Sequence, residues 1–148
     1  HKNSIRHLSV RSDGLVGFAM QWQGNQTKHP PLLGLHCRGA PPQLLSAPED
    51  LQNTLQGYAG SIAFSASGAE VAITCPRGNA LHLFDVAGGS FTRAFELEDV
   101  CGLGAGPDGL VFTTGTGTFG ALDAQRARVL ARPDCQWDNH LIPIRAHV

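Results

Sequence analysis

Chemistry-bearing side chains gather in a few short stretches of this 148-residue chain. The densest is WDNH (137–140), where Trp137, Asp138, Asn139 and His140 stand ahead of the apolar run LIPI. A carboxylate, a carboxamide and an imidazole in a row can bind a cation or orient one another, and the same Asx side chains can cap a turn into a strand. A second imidazole, His7, sits beside Arg6 in SIRHLSV. Arg77, in CPRGN, carries a planar fork suited to a carboxylate or phosphate. Trp22, in QWQG, can floor a pocket or pack on its rim. Tyr58 and Asp99 each stand just ahead of an apolar strand.

Several chemistries are excluded or weakened by the same reading. GTGTFG (115–120) spells G-x-G-x-x-G after Leu110-Val111-Phe112, with Asp138 downstream. A dinucleotide site also needs a crossover helix opening at those glycines. The next segment, ALDAQRARVLAR, aligns instead with DVAGGSFTRAFEL, two strands and a turn, so the glycines read as a hairpin. There is no G-x-S-x-G and no nucleophile elbow. The four cysteines are scattered without a C-x-x-C, which argues against a zinc ribbon or finger. Cys101 falls in an inner strand with no cation beside it to lower its thiol pKa. A net charge of −1 without a basic block gives nucleic-acid binding no electrostatic support. No apolar run approaches the ~20 residues of a membrane span.

The elements that must position these residues form a repeat. SIRHLSVRSDGLVGFAM (4–20), YAGSIAFSASGAEVAIT (58–74) and DVCGLGAGPDGLVFTTG (99–115) share one phrase, an apolar run, a turn ending in Gly, and a second apolar run. Glycine suits such turns because it takes positive φ without steric cost. A third strand comes next in PLLGLHC (31–37), ALHLFDV (80–86) and FGALDA (119–124). A fourth lies in PQLLSA (42–47), FTRAFEL (91–97) and ARVLAR (127–132). Each unit reads as four short antiparallel strands. The spacings from Gly14 to Gly68 and from Gly68 to Gly109 are 54 and 41 residues. The first is stretched by the loop GNQTKHPP and by SAPEDLQNTLQG, which reads as a short helix with a Ser46–Glu49 capping box and Gly57 as its stop.

The predicted fold is all-β, a partial β-propeller of about three four-stranded antiparallel blades plus the first strand of another. Residues 1–148 form one fragment, with blades at about 4–56, 57–98 and 99–134 and the next inner strand at 136–146. The chain opens at His1, without an initiator Met, and further blades of the same protein are expected upstream to cover open sheet edges. In a blade, the leading end of the first strand and the loop between strands two and three share a face. That face would collect Trp22, Gln26, Lys28, His29, Tyr58, Arg77, Asp99, Thr116, Thr118 and residues 137–140. Matching Leu8, Ile62, Leu103 and Leu141 puts His7 and His140 at equivalent inner-strand positions. Blades one and four are not neighbours in a ring, which argues against one ion held by both imidazoles. His36 and His82, on third strands, read as hydrogen-bond-satisfied sheet residues.

RHLSV, QWQG, PPLLGLH, APE, GYAGSIA, PRG, DVCG and WDNHLIPI together resemble the C-terminal part of an uncharacterised bacterial propeller family that carries only a domain-of-unknown-function label. Its members are similar to twin-arginine-exported periplasmic proteins that often accompany imelysin-type iron-uptake components. The resemblance implies a propeller fold, a periplasmic location and iron-uptake partners, and it supplies no catalytic residues. The function expected is a non-enzymatic exported propeller binding a small ligand or a protein partner. The alternative is a metal-dependent hydrolase or lactonase with a divalent ion at the channel mouth; no cofactor is evident otherwise. Candidate ligand-binding residues are Arg6, His7, Trp22, Tyr58, Arg77, Asp99, Trp137, Asp138, Asn139 and His140.

Overall fold

The computed structural model describes residues 2–123 and 125–144. Among the described residues, alternating apolar residues around tight turns give twelve strands, which sort in chain order into three four-stranded antiparallel sheets. The first sheet holds β1 (Asn3–Val10), β2 (Val16–Trp22), β3 (Leu33–His36) and β4 (Gln43–Leu45). The second holds β5 (Ser61–Phe64), β6 (Glu70–Cys75), β7 (Ala80–Asp85) and β8 (Ser90–Glu96). The third holds β9 (Val100–Gly106), β10 (Gly109–Thr114), β11 (Phe119–Leu122) and β12 (Ala127–Ala131). Each sheet is a simple meander with its first strand at one edge, as the repeat predicts.

The sheets stack face to face, so the middle one is buried on both sides. Ile62 and Phe64 turn back into a core with Leu15, Ala19, Leu33 and Leu35 of the first sheet. Ala63, their neighbour, points the other way, into a core with Leu103, Leu110 and Phe112 of the third. Period-two alternation sends successive side chains to opposite faces, which is why β5 and β6 read as nearly continuous apolar runs. The matched positions confirm this orientation: Ile62 is 6% exposed and Leu103 2%, whereas Leu8, which has no sheet on that side among the described residues, is 63% exposed.

Cross-strand detail fixes the register. Phe18 lies directly over Gly34 and Phe112 over Gly120, and a Cβ on either glycine would come within 2.1 and 2.3 Å of the ring. An aromatic ring covering a strand glycine restores the packing surface that the glycine lacks. Polar groups tie one sheet to the next. The Thr74 hydroxyl donates to Cys101 O at 2.7 Å, and Leu103 N–H donates to Ser61 Oγ at 3.2 Å. At the opposite end of the strands the Arg11 guanidinium grips Asp13 at 2.7 and 2.9 Å and donates to Gly68 O at 2.9 Å, joining the first two hairpin turns. That pairing holds the Asp13 carboxyl down at about 2.

The helix α1 (Glu49–Thr54) forms where expected, but without the Ser46–Glu49 capping box. Its N-cap is Pro48, extended at φ −49°, ψ 150°, which has no side-chain oxygen to offer. Buried Gln52 does the anchoring instead. Its Oε1 accepts from Ala47 N–H at 3.1 Å, and its Nε2 donates to Pro30 O at 2.8 Å. After the helix, Gln56 and Gly57 both take positive φ, 46° and 70°, and the chain turns into the second sheet. His82 also departs from expectation. It is fully buried, and only one of its ring nitrogens is engaged, Nε2 with Thr54 Oγ1 at 3.4 Å; Nδ1 has no hydrogen-bond partner among the described residues. Among the described residues, no helix is long and apolar enough to cross a membrane.

Candidate functional site at the channel mouth

One device, repeated three times, sets the face on which the candidate residues stand. The loop leaving each second strand holds the segment that leads into the next inner strand. Trp22 N–H donates to Gly57 O at 2.8 Å. Leu97 N–H donates to Asn79 O at 2.8 Å, and Asp99 N–H to Asn79 Oδ1 at 2.9 Å. The Trp137 indole N–H donates to Gly117 O at 3.3 Å. Asn79, Asp99 and Gly117 all sit at positive φ, 52°, 49° and 93°. Gly117 is the middle glycine of GTGTFG. Its N–H donates to Thr114 O and Thr118 N–H donates to Thr114 Oγ1, closing a hairpin between β10 and β11. A Cβ there would stand 2.8 Å from Cys135 O. The fingerprint glycines therefore shape a turn and admit the next segment's backbone, and strands come after them where a dinucleotide fold needs a helix.

That next segment runs beside β9 as the inner strand of another blade would. It joins β9 through one parallel bridge, Leu103 with His140, and no longer ladder forms among the described residues. Leu141 lies on the β9 glycines; a Cβ on Gly102 or Gly104 would meet it at 3.2 Å. This seating carries the His140 ring to 4.9 Å from the His7 ring, at an interplanar angle of 61°. The two rings meet although blades one and four are not neighbours, the ground on which the sequence disfavours one ion shared by both imidazoles. Inner strands converge on the axis, so side chains from sheets that do not touch can still meet across the channel. On β1 a register shift between Ile5 and His7 leaves Arg6 unpaired, exposed beside the pair.

The electrostatics result from this placement. Burial pushes the His7 imidazole below its ordinary range, His140 and Arg6 push it the same way, and Asp138 opposes them. Asn139 Nδ2 donates to the Tyr58 hydroxyl at 3.3 Å, and the Arg77 guanidinium stands 4.9 Å over the Tyr58 ring. Arg77 forms no salt bridge among the described residues. The Asp138 carboxylate accepts from Asn139 N–H at 2.7 Å, the turn-capping role open to it from sequence. The structure thus brings Arg6, Asp138 and His140 around His7, and links Asn139, Tyr58 and Arg77 in a second set of contacts.

Three candidates stand apart. Trp22 packs on the core between the first two sheets, its indole N–H donating to Asn25 O at 2.8 Å. Asp99 is folded against Gly115, where a Cβ would strike its carboxylate at 2.0 Å. Trp137 serves the hook to Gly117. Cys101 has its thiol directed at Trp137 O and Thr113 O, and burial pushes its pKa up. Among the described residues no group of three or more His, Cys, Asp or Glu converges to hold a metal ion. Sequence reasoning missed the buried Thr74 and Ser61 contacts, whose only signal is a hydroxyl amid apolar strand residues.

Comparison with known proteins agrees with this architecture. The chain belongs to the family described as protein of unknown function (DUF1513), whose model matches residues 1–144. A comparison with curated proteins finds no significant match. Among solved structures it is similar to a chain in a nidogen/laminin complex, with 18% identity, a TM-score of 0.66, and coverage of 94% of this chain and 52% of that one. It is also similar to the RRP9 WD40 repeats, at 14% identity, TM-score 0.56, over 84% of this chain and 36% of that one. The Cps50 (Swd1) β-propeller domain of Myceliophteria thermophila matches at 13% identity, TM-score 0.51, over 85% of this chain and 56% of that one. At such identities the likeness shows the fold alone: the chain is a β-propeller segment. It spans about half or less of the length of these chains.

Proposed function

We propose that this DUF1513 member is a non-enzymatic binding module that holds a small ligand at the mouth of its propeller channel. The observation that carries the reading is the His7–His140 pair, with ring centroids 4.9 Å apart across the channel. Two imidazoles so placed, one pushed toward its neutral form, offer nitrogen lone pairs and N–H donors at neutral pH. Asn139, Tyr58 and Arg77 extend the site with a carboxamide, a phenol and a guanidinium. Propeller loops held by rigid sheets are where such groups can be kept in fixed relation. The setting we propose is the periplasm, beside iron-uptake components. It rests on the resemblance carried by motifs such as GYAGSIA and WDNHLIPI. Further blades of the same protein would cover Leu8, Val10 and Leu44, which are more than half exposed.

The test uses the imidazole resonances of His7 and His140 by NMR, titrating the protein with Zn²⁺ alone and, separately, with inorganic phosphate alone. Concerted shifts of both rings with either probe, lost in His140→Ala, support the reading. Absence of any shift with both probes sinks it. Turnover of ester or lactone substrates that Asn139→Ala abolishes would favour the hydrolase alternative instead.

A further inference from the structure

A second concave site lies away from the imidazole pair, between the first and second blades. It encloses about 380 Å³, within the usual range for small-molecule sites. Its walls include Trp22, Gln26, Lys28, His29, Gln56 and Arg77, and no Asp or Glu lines it. Neither Lys28 nor Arg77 forms a salt bridge among the described residues. A lysine, an arginine and four carboxamides (Gln23, Gln26, Asn53 and Gln56) in one cleft, without a carboxylate to neutralise the cations, make an anion receptor.

The chain's own departure from its repeat supports a built site. The first blade exceeds the next by two insertions, the loop after β2 and the α1 helix with its exit. Both insertions end at this cleft, one supplying Gln26, Lys28 and His29, the other Gln56 and Gly57. The loop is pre-shaped. Thr27 N–H and its hydroxyl both donate to Asn25 Oδ1, at 2.9 and 3.0 Å, and Lys28 N–H donates to Asn25 O at 3.0 Å. Gly24 lies so close on the indole that a Cβ would come within 2.1 Å of it, so Trp22 forms a fixed flat wall. Gln56 is held at φ 46°, a conformation that costs a non-glycine residue energy and that tends to persist at binding sites.

We infer that this inter-blade cleft binds a small organic anion, its carboxylate or phosphate group held by Lys28 and Arg77 and its flat part lying on Trp22. Arg77 also faces Tyr58, which places the cleft beside the channel mouth but with its own walls. The inference does not depend on the imidazole pair.

Citrate and inorganic phosphate, titrated in separate arms at physiological salt, would be followed by Trp22 fluorescence in a Trp137→Phe background. Saturable quenching by one or both is expected, the responsive arm identifying the anionic group. Lys28→Gln and Arg77→Gln should each weaken it at least tenfold, and His140→Ala should leave it unchanged. No quenching in either arm overturns the inference. So does quenching that Lys28→Gln leaves intact, which would mark non-specific anion association. Loss of the imidazole response with the cleft response retained would defeat the channel-mouth reading alone.

Discussion

Acidification should destabilise this protein through one buried ring. His82 is fully buried, in edge contact with Phe91 at 5.6 Å. The Thr54 hydroxyl gives its proton to Leu51 O at 2.7 Å, so in its contact with His82 the Nε2–H is the donor. The next proton must go to Nδ1, which has no acceptor near it among the described residues. Burial accordingly pushes the ring from 6.5 down to about 4. Because the folded pKa lies below the unfolded one, protons bind the unfolded chain first as pH falls. The stability is whole above pH 6.5, drains between 6.5 and about 4, and is constant below. Linkage puts the loss at about 2.5 kcal/mol by pH 4.5, against neutral pH. The assay is urea unfolding followed by tryptophan fluorescence from pH 7.5 to 4.5, on the wild type and on His82→Leu. Carboxylates and other histidines titrate in both proteins, so the difference between them isolates the ring. That difference should shift by about 2.5 kcal/mol in favour of His82→Leu as pH falls. A difference flat within about 0.5 kcal/mol would show that His82 is not held neutral by burial.

Other outcomes rest on single contacts. Gly78→Ala would place a Cβ 1.7 Å from Thr54 O, forcing α1 off the second blade; chemical unfolding should show a loss of about 1–3 kcal/mol or more. Gly39→Ala, with open space around it and φ 84°, should cost only about 1 kcal/mol. Thr74→Val removes the hydroxyl that joins the second and third blades at Cys101 O, and equilibrium unfolding should register about 1–3 kcal/mol for the unpaired carbonyl. Thiol titration should find Cys37 and Cys135 reactive in the native protein. Cys75, buried and pushed up to about 11, and Cys101 should react only after unfolding.

Much of the blade pattern was legible because it is local. Alternating apolar runs punctuated by Gly14, Gly68 and Gly109 specify strands and turns through backbone preferences within a few residues. The match of Leu8, Ile62, Leu103 and Leu141 was likewise readable. One period-two phrase recurs, and the structure points Ile62 and Leu103 back into the preceding sheet while Leu141 lies on β9. The same locality explains why GTGTFG could be read as a hairpin, since residues 121–132 carry strand periodicity in place of a helix. The capping box failed because Pro48, one residue before the helix, took the N-cap that Ser46 was expected to fill, and the more distant Gln52 supplied the anchor.

Contacts between residues far apart in the chain were decided only in three dimensions. His7 and His140 are 133 positions apart, and their meeting depends on how the segment after β12 seats beside β9. Arg77 lies over the Tyr58 ring, 19 positions away, while Asp99 is held by Asn79 and packed against Gly115. The half-satisfied state of His82 depends on α1 arriving over the second blade. The cleft around Lys28 likewise exists only because two insertions close on each other. Sequence alone determined the strands and their order, since backbone preference and period-two burial act within a few residues. Tertiary structure decided which distant side chains meet, since only the stacking of blades brings them within reach of one another.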